Sequence, residues 1–240
     1  MPFARSRVAV CVSLAAALCA CSIAQARDLH LELGLGMARF NPHGDGSWYQ
    51  QALPYRLQLQ SAALMLGVTG ALTPRTEWHL DLFDLGHAAS DSWDVMDVNY
   101  DPIHHVCLRH CEQLTHFIGS GSRWGVAPML GIHTEGPARW LVEAGPWLFH
   151  QSWRADVPNF FSSTGMPPSA GSGLWSRRGD AISHAASDWG MGVAGGIGLR
   201  WHNYQALLLG FYNNKNFGLG SDPWPPLWRS EFALFVGHVF

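Results

Sequence analysis

Apolar and polar residues alternate along most of this chain, which is the period-two pattern of a β-strand with one apolar face. In residues 28–40 the odd positions are Leu29, Leu31, Leu33, Leu35 and Met37, and the even positions are His, Glu, Gly or Ala. A helix would spread this apolar row around its axis, so the pattern predicts a strand. The same reasoning predicts seven more strands, over residues 55–71, 77–87, 123–134, 138–154, 189–201, 204–212 and 229–240.

The connections between these eight strands alternate strictly between long and short. Short turns are predicted at Thr73-Pro74-Arg75, Glu135-Gly136-Pro137 and His202-Asn203. Long connections are predicted around residues 41–54, 88–122, 155–187 and 213–228, of which 88–122 and 155–187 are expected to be irregular. An even number of strands with all long loops at one end is typical of a transmembrane β-barrel. An interior enclosed by eight strands is filled by side chains.

The last strand carries a family resemblance. It places Phe232, Leu234, Val236, His238 and Phe240 on one face and runs to the final residue. It resembles the C-terminal strand of bacterial outer-membrane β-barrels, which implies recognition by the barrel assembly machinery through the end at Phe240. We therefore predict an all-β, eight-stranded, antiparallel up-and-down transmembrane barrel. A soluble periplasmic binding barrel is the alternative.

The first 26 residues predict export. Arg5 and Arg7 precede an apolar run, and Ala24-Gln25-Ala26 offers small residues at a cleavage point, as in a secretory signal peptide. The barrel domain is then expected over residues 27–240, in the outer membrane with both termini in the periplasm. Lipidation at Cys21 is a rival processing route, because Leu18-Cys19-Ala20-Cys21 loosely resembles a lipoprotein signal.

Composition supports the barrel and excludes one class of partner. Charged residues make up only 14% of the chain, against about 25% in ordinary soluble domains. Removal of Arg5 and Arg7 leaves 13 of the 15 basic residues against 18 acidic ones, a formal charge of −5, which excludes a nucleic-acid binder. The 12 tryptophans suit membrane interfaces. Trp124, Trp153, Trp175, Trp224 and Trp228 are expected to form a girdle at the loop end, and Trp78, Trp140 and Trp201 one at the turn end.

Polar residues on the strands predict a network inside the barrel. The inward set is His30, Glu32, Arg56, Gln58, His79, Asp81, Glu143, Arg200 and Glu231, with Gln60 and Glu77. Buried charges must be paired, so these residues are expected to hold the strands together. A sharper interpretation makes His79 a general base with Asp81 or Glu77, since residues two apart on a strand share a face.

Arginines near the loop ends of the strands could bind lipid phosphates. Arg123, Arg154, Arg177, Arg178 and Arg229 fall at this end, and guanidinium groups bind phosphate with two parallel hydrogen bonds. Lipopolysaccharide is therefore the expected lipid partner, with ordinary solvated rim charge as the alternative.

Cys107 and Cys111 are the two cysteines outside the leader, and an oxidising compartment predicts that they form one disulfide. A metal site with His104, His105, His110 or His116 is the alternative, but the spacing matches no zinc pattern. We therefore expect no metal and no other cofactor.

The architecture also resembles that of lipid A deacylases, eight-stranded outer-membrane barrels with a His-x-Ser-Asn segment on a late strand. The most similar segment here, Phe211-Tyr212-Asn213-Asn214, lacks both the His and the Ser. The sequence accordingly favours a monomeric, non-catalytic barrel whose loops contact lipopolysaccharide or external partners. A lipid-hydrolysing enzyme and a narrow channel are the alternatives.

Overall fold

The alternating segments form eight long strands. The computed structural model describes residues 29–41, 55–97, 100–101, 106–107, 112–158, 176–178, 181–213 and 230–240. The long strands are β1 (Leu29–Asn41), β2 (Gln60–Thr73), β3 (Thr76–Asp97), β4 (Glu112–His133), β5 (Ala138–Val157), β6 (Ala181–Trp201), β7 (Tyr204–Asn213) and β8 (Ser230–Val239). Short strands lie at Tyr55–Gln58, Tyr100–Asp101, Val106–Cys107 and Ser176–Arg178. The described residues contain no helix long and apolar enough to cross a membrane.

The eight strands close into a barrel. Each pairs antiparallel with its neighbours in the chain, from β1 with β2 to β7 with β8. β8 then pairs with β1, from Glu32 opposite Val239 to Asn41 opposite Ser230. Closure leaves neither terminal strand with an unpaired edge. The predicted fold class, the strand number and the order of strands are confirmed.

Two predicted loops are partly strand, because β3 to β6 are longer than expected. β3 and β4 continue as a ladder out to Asp97 opposite Glu112, within the segment predicted to be irregular. Likewise, β5 extends to Val157 and β6 begins at Ala181. The Ser, Gly and Asp residues here have weak strand propensity, so pairing with the neighbouring strand decides their conformation.

The longest strands extend beyond an apolar layer. β3 has 22 residues, whereas about 9 to 11 tilted residues cross a bilayer core. A bulge separates the two parts of β3: the register shifts between Asp84 and His87, and Gly86 has a φ of 76°. We call the end of the barrel with the extended strands the loop end, and the end with the three short turns the turn end.

The outer face of the barrel is apolar. Leu35, Val236 and Leu64 stand side by side on neighbouring strands and are 67%, 63% and 44% exposed. Exposed side chains of the same kind surround the barrel, among them Leu31, Leu82, Leu130, Val142, Val193, Ile197, Leu208 and Leu234. The charged residues Glu32, Asp81, Arg123 and Glu143 are instead buried. Apolar side chains outside and charged side chains inside are the reverse of a soluble protein and are typical of a transmembrane β-barrel, whose outer face contacts lipid.

Only some of the tryptophans predicted to form the two aromatic girdles are exposed on the outer face. Trp124, Trp140 and Trp201 are exposed, as a girdle requires, whereas Trp78 and Trp153 are buried. Trp153 lies inside the barrel, on the same face of β5 as Trp147 and Gln151. It does so because side chains continue to alternate between the two faces where the strand extends past the apolar layer. Trp175, Trp224 and Trp228 lie outside the described residues.

Candidate functional site

Most of the buried charge lies inside the turn end of the barrel. We define the turn-end cluster as Glu32, Glu77, His79, Asp81, Glu143, Arg200 and Gln205. Six of these residues are buried, and the Arg200 side chain is 14% exposed. They come from β1, β3, β5, β6 and β7, so residues distant in sequence meet only because the barrel closes.

Arg200, on β6, forms hydrogen bonds with residues on three other strands. Its guanidinium donates hydrogen bonds to Glu32 Oε1 (2.8 Å), to Glu77 Oε2 (3.1 Å) and to Gln205 Oε1 (3.2 Å). Gln205 stands directly opposite Arg200 across the short turn, and its side-chain amide donates to Glu32 Oε2 at 3.0 Å. Both oxygens of Glu32 are therefore satisfied. Sequence reasoning missed Gln205, although its pairing with Arg200 across a two-residue turn could have indicated it.

His79 lies at the centre of the carboxylates. Its Nδ1 is 3.7 Å from Glu32 Oε1, and its Nε2 is 3.2 Å from Glu77 Oε1 and 3.6 Å from Glu143 Oε2. Neither ring nitrogen makes a hydrogen bond of acceptable geometry, and the same holds for Asp81 Oδ1 and both oxygens of Glu143. The cluster thus brings His79, Asp81 and Glu77 together, with carboxylates rather than a hydroxyl or thiol facing the imidazole.

Aromatic side chains fill the middle of the lumen. Phe83 contacts the rings of Phe211, Phe235 and Trp147 at centroid distances of 5.1, 5.5 and 5.9 Å. Trp147 also lies 4.9 Å from Phe211. All four side chains are essentially inaccessible to solvent. This layer separates the polar groups of the two ends.

Arg123 lies inside the barrel and not on its rim. It forms an ion pair with Glu231, and both side chains are completely buried. Its guanidinium also donates to Gln151 Oε1 at 2.7 Å and lies 4.4 Å from the centroid of Phe149. The prediction that Arg123 binds lipid phosphate is therefore wrong: Arg123 has the inward parity of Gly125 and Ala127 on β4, and Glu231 compensates its charge.

The outer face carries a polar cleft at the loop end, which we call the outer cleft. It encloses about 340 Å³ and is lined by His87, Ser122, Ser152, Arg154 and Ser187, with Ser120 beside them. Ser122 pairs with His87 on β3 and with Ser152 on β5, which in turn pairs with Ser187 on β6. Serine hydroxyls and a guanidinium are groups that recognise an anion.

An aromatic row borders the outer cleft on its turn-end side. Trp124, His150 and Trp189 are cross-strand neighbours two residues before or after the serines, and their ring centroids are 5.2 to 5.7 Å apart. Trp124 and Trp189 are about 40% exposed. Sequence reasoning did not single out His87 or the serines, because each lies on a different strand.

The remaining predicted network residues lie apart from the turn-end cluster. His30 has the inward parity of Glu32 but is exposed at the mouth of the turn end, where its Nδ1 is 3.0 Å from the backbone oxygen of Phe240. Gln58 is exposed, and Leu59 packs against the core, so the predicted phase is reversed there. Gln60 is exposed too. Leu64 and Leu66 on β2 face outward, so the even-numbered residues of this strand, including Gln60, lie on the outer face. The side chain of Arg56 lies outside the described part.

Of the other predicted phosphate-binding residues, Arg154 is exposed and pairs with Asp156 at 2.9 Å. The side chains of Arg177, Arg178 and Cys107 and the whole of Arg229 and Cys111 lie outside the described part of the chain, and so does the predicted disulfide between Cys107 and Cys111. The signal peptide, including Cys21, does so as well.

A scan against protein-family models and a search of curated proteins found no match. Three of the solved structures similar to this chain are outer-membrane or surface proteins, and each match covers 88% of this chain. They are Ail, the attachment invasion locus protein of Yersinia pestis (11% identity, 97% of that chain, TM-score 0.45), the outer membrane protein OprG from Pseudomonas aeruginosa (10%, 95%, 0.41) and Neisserial surface protein A (11%, 95%, 0.33). The strand pairing given above establishes the fold by itself. The chain is an all-β, closed, eight-stranded antiparallel barrel, similar to small outer-membrane β-barrel proteins.

Proposed function

We propose that the protein is a non-catalytic outer-membrane barrel that binds phosphate groups of outer-leaflet lipopolysaccharide on its outer face. The outer cleft carries this proposal. It presents the exposed guanidinium of Arg154 beside a row of serine hydroxyls and the imidazole of His87. Arginine and hydroxyl donors together match the acceptor oxygens of a phosphate group.

The position of the outer cleft supports a lipid headgroup as the ligand. Two residues along a strand correspond to about 7 Å, so the serines lie that far beyond the row of Trp124, His150 and Trp189. Tryptophan rings favour the boundary between acyl chains and headgroups. The cleft then stands at the level of the phosphates of the leaflet outside this boundary. The extended strands β3 to β6 would rise from that leaflet as a surface for sugars or external partners.

Binding of lipid A with and without its phosphates tests the proposal. The purified barrel in detergent should bind phosphorylated lipid A more tightly than the dephosphorylated form. Arg154→Gln should weaken the phosphorylated form about tenfold, since a hydrogen bond to a charged group contributes about 1.5 to 3 kcal/mol. Arg75→Gln is the matched control, because Arg75 is an exposed arginine that pairs with Glu135 at the opposite end. Equal loss in the two variants, or no preference for phosphate, would contradict the proposal.

The filled lumen supports a role without transport or catalysis. Phe83, Trp147 and Phe211 occupy the middle of the barrel, and His79 lies below them among carboxylates, away from the outer face. Release of fatty acid from lipid A by the purified protein would show an enzyme instead. That activity should be absent from the wild type and from His79→Gln alike.

The proposal also includes the outer-membrane location, a monomeric state and periplasmic termini. β8 ends next to Phe240, whose side chain is 61% exposed, and this end is the proposed signal for the barrel assembly machinery. Membrane fractionation with a gel-mobility assay before and after boiling tests the location and the state. Recovery in the aqueous periplasmic extract would exclude the membrane assignment.

A further inference from the structure

The turn-end cluster holds more negative than positive charge. Glu32, Glu77, Asp81 and Glu143 bring four carboxylates into the lumen, and the guanidinium of Arg200 pairs with two of them, Glu32 and Glu77. With a neutral imidazole on His79 the formal charge is −3. Buried charges without compensation are costly, so a group of this composition requires a cation or bound protons.

Several buried nitrogen and oxygen atoms in the cluster have no hydrogen-bond partner. These are Nδ1 and Nε2 of His79, Oδ1 of Asp81, both carboxylate oxygens of Glu143, Oε1 of Glu77 and Nε of Arg200. His79, Asp81 and Glu143 are at most 2% exposed, so bulk water does not satisfy them. Buried polar atoms in folded proteins are nearly always paired, and a bound ion or water is one explanation for a group that has no partner within the protein.

The geometry points to a metal ion. Glu32, His79 and Asp81 each offer one ligand atom, and the three atoms lie within 4.8 Å of one another. The distance from His79 Nδ1 to Glu32 Oε1, 3.7 Å, is close to the roughly 3.4 Å that separates tetrahedral ligands held about 2.1 Å from one zinc ion, and Glu143 lies on the side of the other ring nitrogen, Nε2. We propose that the turn-end cluster binds one first-row divalent transition-metal ion through Glu32, His79 and Asp81, with Glu143 beside it.

Two glycines leave room for the side chains of Asp81 and His79. A Cβ atom on Gly67 would overlap Asp81 Oδ1, and one on Gly131 would lie 3.0 Å from His79 Nε2. A cavity of about 410 Å³ at the turn end, lined by His30, Arg139 and Arg200 among others, leads from solvent to the cluster. Arg200 belongs both to the lining of this cavity and to the cluster, so an ion that enters from the cavity passes its guanidinium.

The mixture of ligands selects the class of metal. Imidazole favours zinc and its first-row neighbours, whereas calcium and magnesium prefer sites made of oxygen alone. Binding of a divalent cation would reduce the formal charge of the cluster from −3 to −1. In contrast to the outer cleft, this site is closed to lipid, so the two proposals are independent.

Metal content and affinity of the full-length barrel in detergent test the inference. Metal-depleted protein titrated with ZnCl₂ should bind one equivalent, and MgCl₂ at the same concentration should not compete. His79→Gln and Asp81→Asn should each weaken zinc binding at least tenfold. Glu135→Gln, which changes an exposed carboxylate at the turn end, and His105→Gln, in the histidine-rich segment, should leave the affinity unchanged.

A spectroscopic measurement on the wild-type protein tests the site even if a variant fails to fold. Wild-type protein loaded with Co²⁺ should show the intense visible absorption of a four-coordinate site, and X-ray absorption of the zinc form should report one imidazole ligand. Folding of each variant is checked by its gel mobility before boiling. Absence of stoichiometric zinc in the folded wild type overturns the inference. Zinc retained by His79→Gln, or lost in His105→Gln, also overturns it, because the ion would then lie elsewhere.

Discussion

Removal of one partner of the buried Arg123–Glu231 pair should strongly destabilise the barrel. Both side chains are completely buried, and the guanidinium also contacts Gln151 and Phe149. Glu231→Gln leaves a positive charge in a site without solvent. The cost of such an unpaired charge is about 3 to 5 kcal/mol.

Unfolding by urea in detergent micelles measures this cost. For an m-value of about 2 kcal/mol/M, the expected loss moves the midpoint down by roughly 1.5 to 2.5 M. Tryptophan fluorescence and gel mobility before boiling should report the same midpoint if unfolding is cooperative. Arg123→Met should destabilise the barrel by a similar amount, because it leaves the Glu231 carboxylate bare.

The double variant separates an unpaired charge from poor packing. Arg123→Met combined with Glu231→Leu removes both charges and should be within about 1 to 2 kcal/mol of the wild type, since apolar replacements of a buried pair are often neutral. The free energies of the single variants then fail to add. The reasoning is refuted if either single variant loses less than about 1 kcal/mol, or if the double variant loses the sum of both.

Three further predictions test the packing, the outer face and the filled lumen. Gly67→Ala should destabilise the barrel by about 1 to 3 kcal/mol, because its methyl group overlaps Asp81 Oδ1, whereas Gly210→Ala, with its nearest neighbour at 3.4 Å, should cost less in the same urea assay. Leu35→Arg should lower stability in lipid vesicles by about 2 to 4 kcal/mol, and an unchanged midpoint would contradict a lipid-facing position. In planar bilayers the wild type should produce no conductance steps, and regular steps would show that the aromatic layer around Trp147 leaves a pore.

Much of the fold follows from local pattern. Alternation over residues such as Leu29 to Met37 predicts which faces are apolar, and turn residues such as His202 and Asn203 fix the short connections. The same alternation placed six polar residues on inward faces, and all six lie in the lumen: Glu32, His79, Asp81, Glu143, Arg200 and Glu231. These properties depend on residues close together in the chain, so the sequence carries them directly.

Local pattern was misleading where a strand has no apolar face or changes phase. Gln58 and Gln60 were assigned to the inward face but are exposed, because the phase of this segment is set further along, at Leu64 and Leu66 of β2. The outer halves of β3 and β4 lack apolar alternation, so their ladder to Asp97 and Glu112 was not expected. Propensity alone does not determine a strand that a neighbouring strand stabilises.

By itself the sequence determined the existence of the eight strands, the apolar outer face and most of the charged residues that point inward, although not Arg123. The closed tertiary structure decided which of those residues meet: Arg200 binds Glu32 from 168 positions away, and Arg123 pairs with Glu231 in the lumen instead of with lipid at the rim. The physical reason is that alternation fixes the face of each residue within its own strand. Its partners across the lumen depend on the relative register of all eight strands, which is set only when the barrel closes.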